Sequence, residues 1–309
     1  MCPRCSETGF TVLYTGADRL YRTTTRLFRL VECSRCGLLR LNPTPSPTEL
    51  GQFYPQGYWW RPEVSAVGRL EALYRSLVLS DHLRFVWPGV EQRGPVLDVG
   101  CGGGSFLAAL SRRGVRVIGL DSAHGAAAAA WNGSGVPALL ACLEAAPFPA
   151  GSFGAVTMFH VLEHLAEPHL CLQHAHRLLR PDGRLYVQVP NVACWQFLLL
   201  GGRWSGLDLP RHLVHFRARD LEELVEECGF QVLRRKFFSL RDNPAGLATS
   251  LFPGLEPMSR RARGVKESSA GRLLKHLLYL AVVVAVLPAT AIEAAAGAGS
   301  TVMLEAARR

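Results

Sequence analysis

The spacing of apolar positions divides the 309-residue chain into unlike parts. From Pro95 onward, short apolar blocks bounded by Gly, Pro or Asp alternate with stretches whose apolar residues recur at helical intervals. Val96, Leu97 and Val99 form one block, Val115–Asp121 a second, Pro137–Leu143 a third and Phe153–His160 a fourth. Arg184–Val189 follows the turn Pro181-Asp182-Gly183. Phe230–Phe238 follows a helical pattern, Asp220–Cys228, with Leu221, Leu224, Val225 and Cys228 at i, i+3, i+4 and i+7 and a stop at Gly229. Thr301–Ala306 is a candidate last strand. Strands alternating with helices predict an α/β fold, a mostly parallel sheet covered on both faces.

The first block runs into Gly100, Gly102, Gly103 and Gly104 and then into the helical pattern Phe106, Leu107, Leu110. This is a strand-turn-helix of the nucleotide-binding kind. Glycines let the backbone turn tightly and let a ligand lie against the amides that open the helix. Asp98, two residues before the first glycine, would repel a pyrophosphate but attract the cationic α-amino group of S-adenosylmethionine (SAM). Asp121, 23 residues beyond Asp98, closes the neighbouring strand, where a ribose diol is bound in such folds. Taken alone, the glycine turn also suits simple packing of a helix on a strand.

The runs V-L-D-V-G-C-G-G-G-S-F, G-L-D, S-F-G-A-V-T-M-F-H-V-L-E-H-L and L-L-R-P-D-G-R-L-Y-V-Q-V-P-N together resemble class I SAM-dependent methyltransferases. Within that superfamily the chain is similar to the ubiquinone-biosynthesis-like group, especially bacterial members with a cysteine-rich amino-terminal segment, and L-P-R-H-L-V-H-F (Leu209–Phe216) adds to the likeness. The resemblance covers most of the chain. It implies a Rossmann-like seven-stranded sheet whose last strand is antiparallel, with SAM above the carboxyl ends of the first strands. It implies cofactor contacts at Asp98, Gly100, Cys101, Gly102, Gly104, Asp121 and Ser122, adenine contacts at Leu143 and Glu144, and His160 on the cofactor side. Two positions depart from the pattern: Gly154 where the family usually has Asp, and Cys142 where a polar residue often precedes the adenine-contacting pair.

The amino terminus carries Cys2-Pro-Arg-Cys5 and Cys33-Ser-Arg-Cys36-Gly37. Two C-x₂-C knuckles can close a four-sulfur tetrahedral zinc site with no open position, which is structural and not catalytic. The 27-residue spacer Ser6–Glu32 holds alternating runs suited to the strands of a zinc ribbon. A piece this small has too little core to fold alone, so the metal would supply much of its stability. Cys101, Cys142, Cys171, Cys194 and Cys228 lie in apolar patterns and read as small buried residues. The expected organisation is a ribbon over 1–41, a Pro/aromatic linker and helical lid over 42–92, a SAM-binding core over 93–250, and a basic and apolar helix with the last core strand over 251–309.

The linker Asn42–Pro62 contains five prolines and reads as a stiff, non-helical connector. Its aromatics Phe53, Tyr54, Tyr58, Trp59 and Trp60 suit either a lid, with Tyr54 or Tyr58 offering a hydroxyl, or packing of ribbon on core. Methyl transfer from a sulfonium is an in-line displacement that requires a positioned acceptor and, for an oxygen acceptor, a proton acceptor. His164, His212 and His215 are the candidate bases. His160-Val-Leu-Glu163-His164 also matches the H-x-x-E-H peptidase pattern, but that motif needs a helix and here the first histidine closes a strand. Related methyltransferases use a Glu/His cluster at this place for a divalent ion; those sites begin with Glu, and this one begins with His160.

The apolar run Leu277–Ile292, interrupted by Pro288, follows Arg260, Arg261, Arg263, Lys266, Arg272 and Lys275. Sixteen residues fall short of the ~20 of a membrane span, so a helix packed on the core or a partner, or a segment on a membrane surface, are the expectations. The net charge of +9 is carried almost wholly by arginine, and nucleic acid is disfavoured as a partner. Reduced thiolates, with no secretory signal before Cys2, point to the cytoplasm. The expected function is SAM-dependent methylation, oxygen ahead of carbon or nitrogen, of a small-molecule, glycan or lipid-linked acceptor. An rRNA methyltransferase with a zinc ribbon is the variant, against which stands Phe159-His160 in place of an N-P-P-Y-type tetrad. A non-catalytic ribbon module on a methyltransferase scaffold is the third reading, against which stand the intact Asp98, glycines and Asp121.

Overall fold

The computed structural model describes residues 1–55 and 66–309, so Tyr58, Trp59 and Trp60 of the linker lie outside the described residues. The amino-terminal strands β1 (Phe10–Gly16), β2 (Phe28–Cys33) and β3 (Leu39–Asn42) form an antiparallel meander, in which Val31 lies opposite both Val12 and Arg40. The linker is not free of helix as expected: α1 spans Pro47–Gln52. Ser46 caps it through the Glu49 amide, Glu49 bonds back to the Ser46 amide at 2.9 Å, and Pro47 sits in the first turn, where its missing N–H costs nothing. A longer helix, α2 (Ala66–Val90), leads into the main sheet.

That sheet begins with β4 (Val96–Val99), α3 (Ser105–Ser111), β5 (Val117–Asp121), α4 (His124–Ser134) and β6 (Ala138–Leu140). The chain then crosses back through β7 (Phe153–Phe159), α5 (Pro168–Leu178), β8 (Leu179–Pro190) and α6 (Trp195–Leu200). A two-residue strand β9 (Val214–His215), α7 (Ala218–Glu227), β10 (Phe230–Lys236), α8 (Asn243–Leu251), α9 (Pro257–Ala262), α10 (Ser269–Ala295) and β11 (Thr301–Arg308) complete it. The strand order is β10-β11-β8-β7-β4-β5-β6, and β11 is antiparallel to both of its neighbours. The mostly parallel, seven-stranded α/β sheet with an antiparallel last strand is therefore as the resemblance implied.

Apolar side chains on both faces of the sheet explain the continuous apolar blocks of the sequence. One face packs Leu97, Val156, Met158 and Val187 against α5 and α7, and the other packs Val96, Ala155 and Tyr186 against Phe85, Val86 and the α3 residues Leu107 and Leu110. Gly154 has a structural cause: a Cβ there would lie 2.0 Å from the Arg93 carbonyl oxygen, so the side chain usual in the family has no room.

The amino-terminal meander gains its fourth strand from far along the chain. β9 pairs with β3, with Leu39 opposite His215 and Arg40 opposite Val214. Phe28, Leu30, Leu39 and Leu41 of the small sheet then share a core with Trp204, Leu207, Leu209 and Leu213.

The carboxyl-terminal helix also departs from expectation. α10 runs 27 residues from its cap at Ser268, and it is long and apolar enough to cross a membrane, where the apolar run by itself fell short. Lys275 and His276, which made the first turns look polar, have side-chain partners, Lys275 Nζ donating to Glu267 at 2.7 Å and Arg260 lying 3.1 Å from His276 Nδ1. Pro288 removes one ladder bond without ending the helix.

Candidate functional site

The turn after β4 forms a cradle. Gly100, Gly102 and Gly104 all have φ between 54° and 72°, a region in which side chains are strained. A Cβ on Gly100 would meet Val161 and one on Gly104 would meet Val136, both closer than 3.0 Å, whereas the space at Gly102 is open. Asp121, at the end of β5, is locked by the amides of Gly102 (3.0 Å) and Ala123 (2.8 Å). Asp98 is buried in mid-sheet, accepting from Thr157 Oγ1 at 2.6 Å. Burial, reinforced by the Asp121 charge, pushes its carboxyl up to about 7.

Among the other expected cofactor residues, Ser122 and Glu144 are exposed, Leu143 turns its side chain into the core, and the Cys101 side chain is buried against Gly119. Cys142 is exposed and corrects the expectation that all five remaining cysteines are buried. It precedes the short 3-10 turn Leu143–Ala145, beyond an edge strand whose side chains largely face solvent.

A second constellation lies where β7 ends. His160 adopts φ 58° and is gripped on both ring nitrogens, Nδ1 by Glu163 at 3.1 Å and Nε2 by Asp242 at 3.2 Å. Burial alone would depress its pKa, but the Asp242 charge and the two carboxylate contacts lift it to about 9. Asp242 also accepts from Gln188. The H-x-x-E-H run is not a helix, since His160 lies just past the strand end at Phe159 and Glu163 and His164 lie in the 3-10 turn Leu162–His164.

His164, His212 and His215, far apart in sequence, meet here. The His164 and His212 rings pack edge to face with centroids 4.8 Å apart, and His215 lies 6.1 Å from His212. His164 Nδ1 is 3.0 Å from the Arg211 carbonyl and 3.1 Å from the Tyr54 hydroxyl, and His212 Nδ1 is 2.9 Å from the Gly206 carbonyl. A carbonyl on Nδ1 assigns the proton to that nitrogen and leaves Nε2 with the lone pair. Burial, then the neighbouring His212, lowers His164 to about 4 and His215 to about 3, so both are neutral at pH 7. Buried Glu163 stays ionised because His160 offsets its desolvation, and its second oxygen has no partner among the described residues. Donor atoms of Glu163, His164 and His212 all lie within 4.8 Å of one another.

The loop that carries these histidines is held by a buried ion network that the sequence did not signal except as an Asp three residues before an Arg. Arg211, fully buried, contacts Asp18 through both terminal nitrogens (2.9 and 3.0 Å), Asp208 at 2.6 Å and the Phe53 carbonyl at 2.9 Å, with Tyr21 stacked 4.4 Å from its guanidinium. Asp18 and Tyr21 belong to the amino-terminal segment, so the small sheet and the histidine loop are one packed unit. Asp242 and Gln188 were likewise missed, because nothing near them in the sequence marks them as partners of His160.

At the amino terminus the four cysteine sulfurs converge within 4.8 Å of one another, with Cys2–Cys36 and Cys5–Cys33 each at 3.5 Å. Four thiolates around zinc at ~2.3 Å have sulfurs ~3.8 Å apart, so the group fits that ion. The left-handed residues Ser6 and Gly37 close the two knuckles, with Ser6 N donating to the Cys2 carbonyl and Gly37 N to that of Cys33. Despite its own desolvation, Cys33 is lowered to about 7 by the amides of Cys36 and Arg35, which favours the thiolate.

A mostly parallel sheet with a glycine cradle after its central strand and an acid closing the next strand defines the class I SAM-dependent methyltransferases, with SAM as methyl donor. Comparison with known proteins agrees: the family described as "Methyltransferase domain" matches residues 72–235, and the chain belongs to it. A "Ubiquinone biosynthesis O-methyltransferase" of Pseudomonas aeruginosa is 32% identical over 161 residues, covering 48% of this chain and 68% of the relative. The Coxiella burnetii protein of the same name is 26% identical over 187 residues, 57% of this chain and 77% of that one. Among solved structures, a SAM-dependent methyltransferase from Archaeoglobus fulgidus aligns with a TM-score of 0.50 at 17% identity, over 79% of this chain and 100% of that one. The cyclase SpnF aligns with a TM-score of 0.53 at 21% identity, over 86% and 97% of the two chains. Both structural likenesses are of fold.

Proposed function

We propose that the protein transfers the SAM methyl group to a hydroxyl oxygen of a small organic acceptor, with the site residues in the following roles. Asp98 takes the cationic amino group, the turn Gly100–Gly104, Cys101 included, receives the carboxylate side in the open space at Gly102, and Asp121 holds the ribose diol with Ser122 beside it. Leu143 and Glu144 border the adenine. His160, fixed between Glu163 and Asp242, closes the cradle. His164 or His212 removes the acceptor proton through Nε2, Glu163 stabilises the imidazolium that forms, and His215 supports the pair from β9. The observation that carries the reading is the pair His164 and His212, each with Nδ1 committed to a backbone carbonyl, beside an ionised, half-satisfied Glu163 at the mouth of β7. The Pseudomonas relative's printed name supports oxygen as the acceptor atom.

The same observation favours a second reading of the cluster. Glu163, His164 and His212 are a suitable donor set for a divalent cation, which would polarise the acceptor hydroxyl. Cys2, Cys5, Cys33 and Cys36 would hold a structural zinc, and nine free cysteines suit a reducing compartment.

Two experiments test this. Calorimetry should show SAM binding that strengthens as pH rises through about 7, as Asp98 ionises, and that Asp98→Ala weakens by on the order of tenfold or more. Mass spectrometry of cell extract with labelled SAM should show a new O-methyl product that is lost with His164→Ala. Retention of that product after a chelator, with the zinc ribbon intact, would rule out the cation reading.

A further inference from the structure

Helix α10 is amphipathic in the sense opposite to that of a helix on a globular core. Its inward face carries its polar groups beside a single fully buried aliphatic, Val283. The Tyr279 hydroxyl lies 2.9 Å from Thr249 Oγ1 and donates to the Ala245 carbonyl at 3.1 Å, Thr290 is buried, and the Glu293 carboxylate accepts from Gln196 Nε2 at 2.8 Å. Its outward face is apolar: Leu274, Leu278, Ala281, Val284, Pro288 and Ile292 recur every three to four residues with Leu277 alongside, and Leu274, Val284 and Ile292 are 58%, 56% and 63% exposed. From Leu274 to Ile292 the stripe is ~27 Å long at 1.5 Å per residue. Beside its carboxyl end, tied on by Gln196, α6 adds Leu198 and Leu199, 80% and 79% exposed.

The opposite end is basic. Buried Arg260 pairs with Glu267 at 2.8 Å, which leaves Arg261, Arg263, Lys266, Arg272 and Lys275 of residues 251–275 outside the core against Glu256. This charge selects among occupants. Two copies pairing antiparallel would set the basic end against a carboxyl end whose one acid, Glu293, is buried, and a parallel pair would set base against base. Neither complements the charge, whereas an anionic lipid headgroup does. A transmembrane placement conflicts with the fold, because Tyr279 and Glu293 tie both halves of the helix to one body and β11 re-enters the sheet from Thr301.

We propose that α10, with Leu198 and Leu199, lies in the plane of an anionic phospholipid surface, apolar stripe in the acyl boundary and basic end on the headgroups. This goes beyond the methyltransferase reading and does not depend on it. The test is cosedimentation of the full-length, zinc-loaded protein with phosphatidylcholine vesicles, with and without phosphatidylglycerol. Binding should require phosphatidylglycerol and weaken with salt. Leu277→Glu with Val284→Glu should lower partitioning on the order of tenfold or more, and Arg263→Gln with Lys266→Gln by about fivefold per residue. Far-ultraviolet circular dichroism and SAM affinity should be unchanged, since these side chains are outside the core and the cradle. Absent binding to anionic vesicles, or binding undiminished by Leu277→Glu with Val284→Glu, overturns the proposal. So does a stable dimer without lipid binding that the same pair dissociates, which would assign the face to a second copy.

Discussion

The seven-stranded and the four-stranded sheets differ in what each takes from the rest of the chain. The large sheet is assembled from successive strand-helix units, and its core is apolar on both faces. The small sheet has three consecutive strands, four cysteines at its tip, and a two-residue fourth strand from residues 214–215 that brings His215 with it. The large sheet therefore follows from local pattern, while the small one rests on long-range closure and on a four-cysteine group that fits zinc. The dependence runs in both directions, because the histidine loop is anchored by Asp18 as well as by β3.

The sharpest way to break this asymmetry is to strip the zinc, or to make Cys33→Ser with Cys36→Ser. The small sheet should lose order, and methyl transfer should fall by on the order of a hundredfold or more as His212 and His215 lose their frame. SAM affinity should stay within a few-fold, since the cradle is on the other sheet. Equal loss of both, measured by calorimetry beside turnover, would show that the sheets are one cooperative unit.

Next in size is Arg211→Met, which leaves Asp18 and Asp208 buried without their cation. Urea unfolding should show a loss of about 3–5 kcal/mol, and the double variant Arg211→Met with Asp18→Leu should recover part of it. A smaller change probes the large sheet: Gly154→Ala drives a Cβ into the Arg93 carbonyl and should cost about 1–3 kcal/mol, without altering zinc content by metal analysis.

The smallest effect is a pH dependence. His160 titrates near 9 when folded against an ordinary 6.5, so its contribution to stability is complete below about 6.5 and is lost as pH rises through about 9. Thermal midpoints should decline by a few degrees across that window, and His160→Gln should flatten the decline.

How much of this was legible beforehand varies with the range of the interactions. Strands β4, β5, β7 and β11 were visible because two-sided burial writes continuous apolar runs, and β10 because it follows the amphipathic helix that stops at Gly229. The cradle was visible because left-handed backbone demands glycine at Gly100, Gly102 and Gly104. Helix α1 was misread because its prolines drew attention from the Ser46–Glu49 capping box. Helix α10 was read too short because Lys275 and His276 have partners that only folding supplies.

The amino-acid sequence by itself determined the sheet, the glycine turn with its two acids and the paired C-x₂-C knuckles, because each is a local demand that a few neighbouring residues satisfy. Tertiary structure alone decided that Arg211 joins Asp18 to Asp208, that His160 is clamped by Asp242, and that the polar side of α10 faces inward. Those contacts join residues up to 193 positions apart, and whether a buried charge finds its partner is set by the packing of the whole chain and not by its neighbours in sequence.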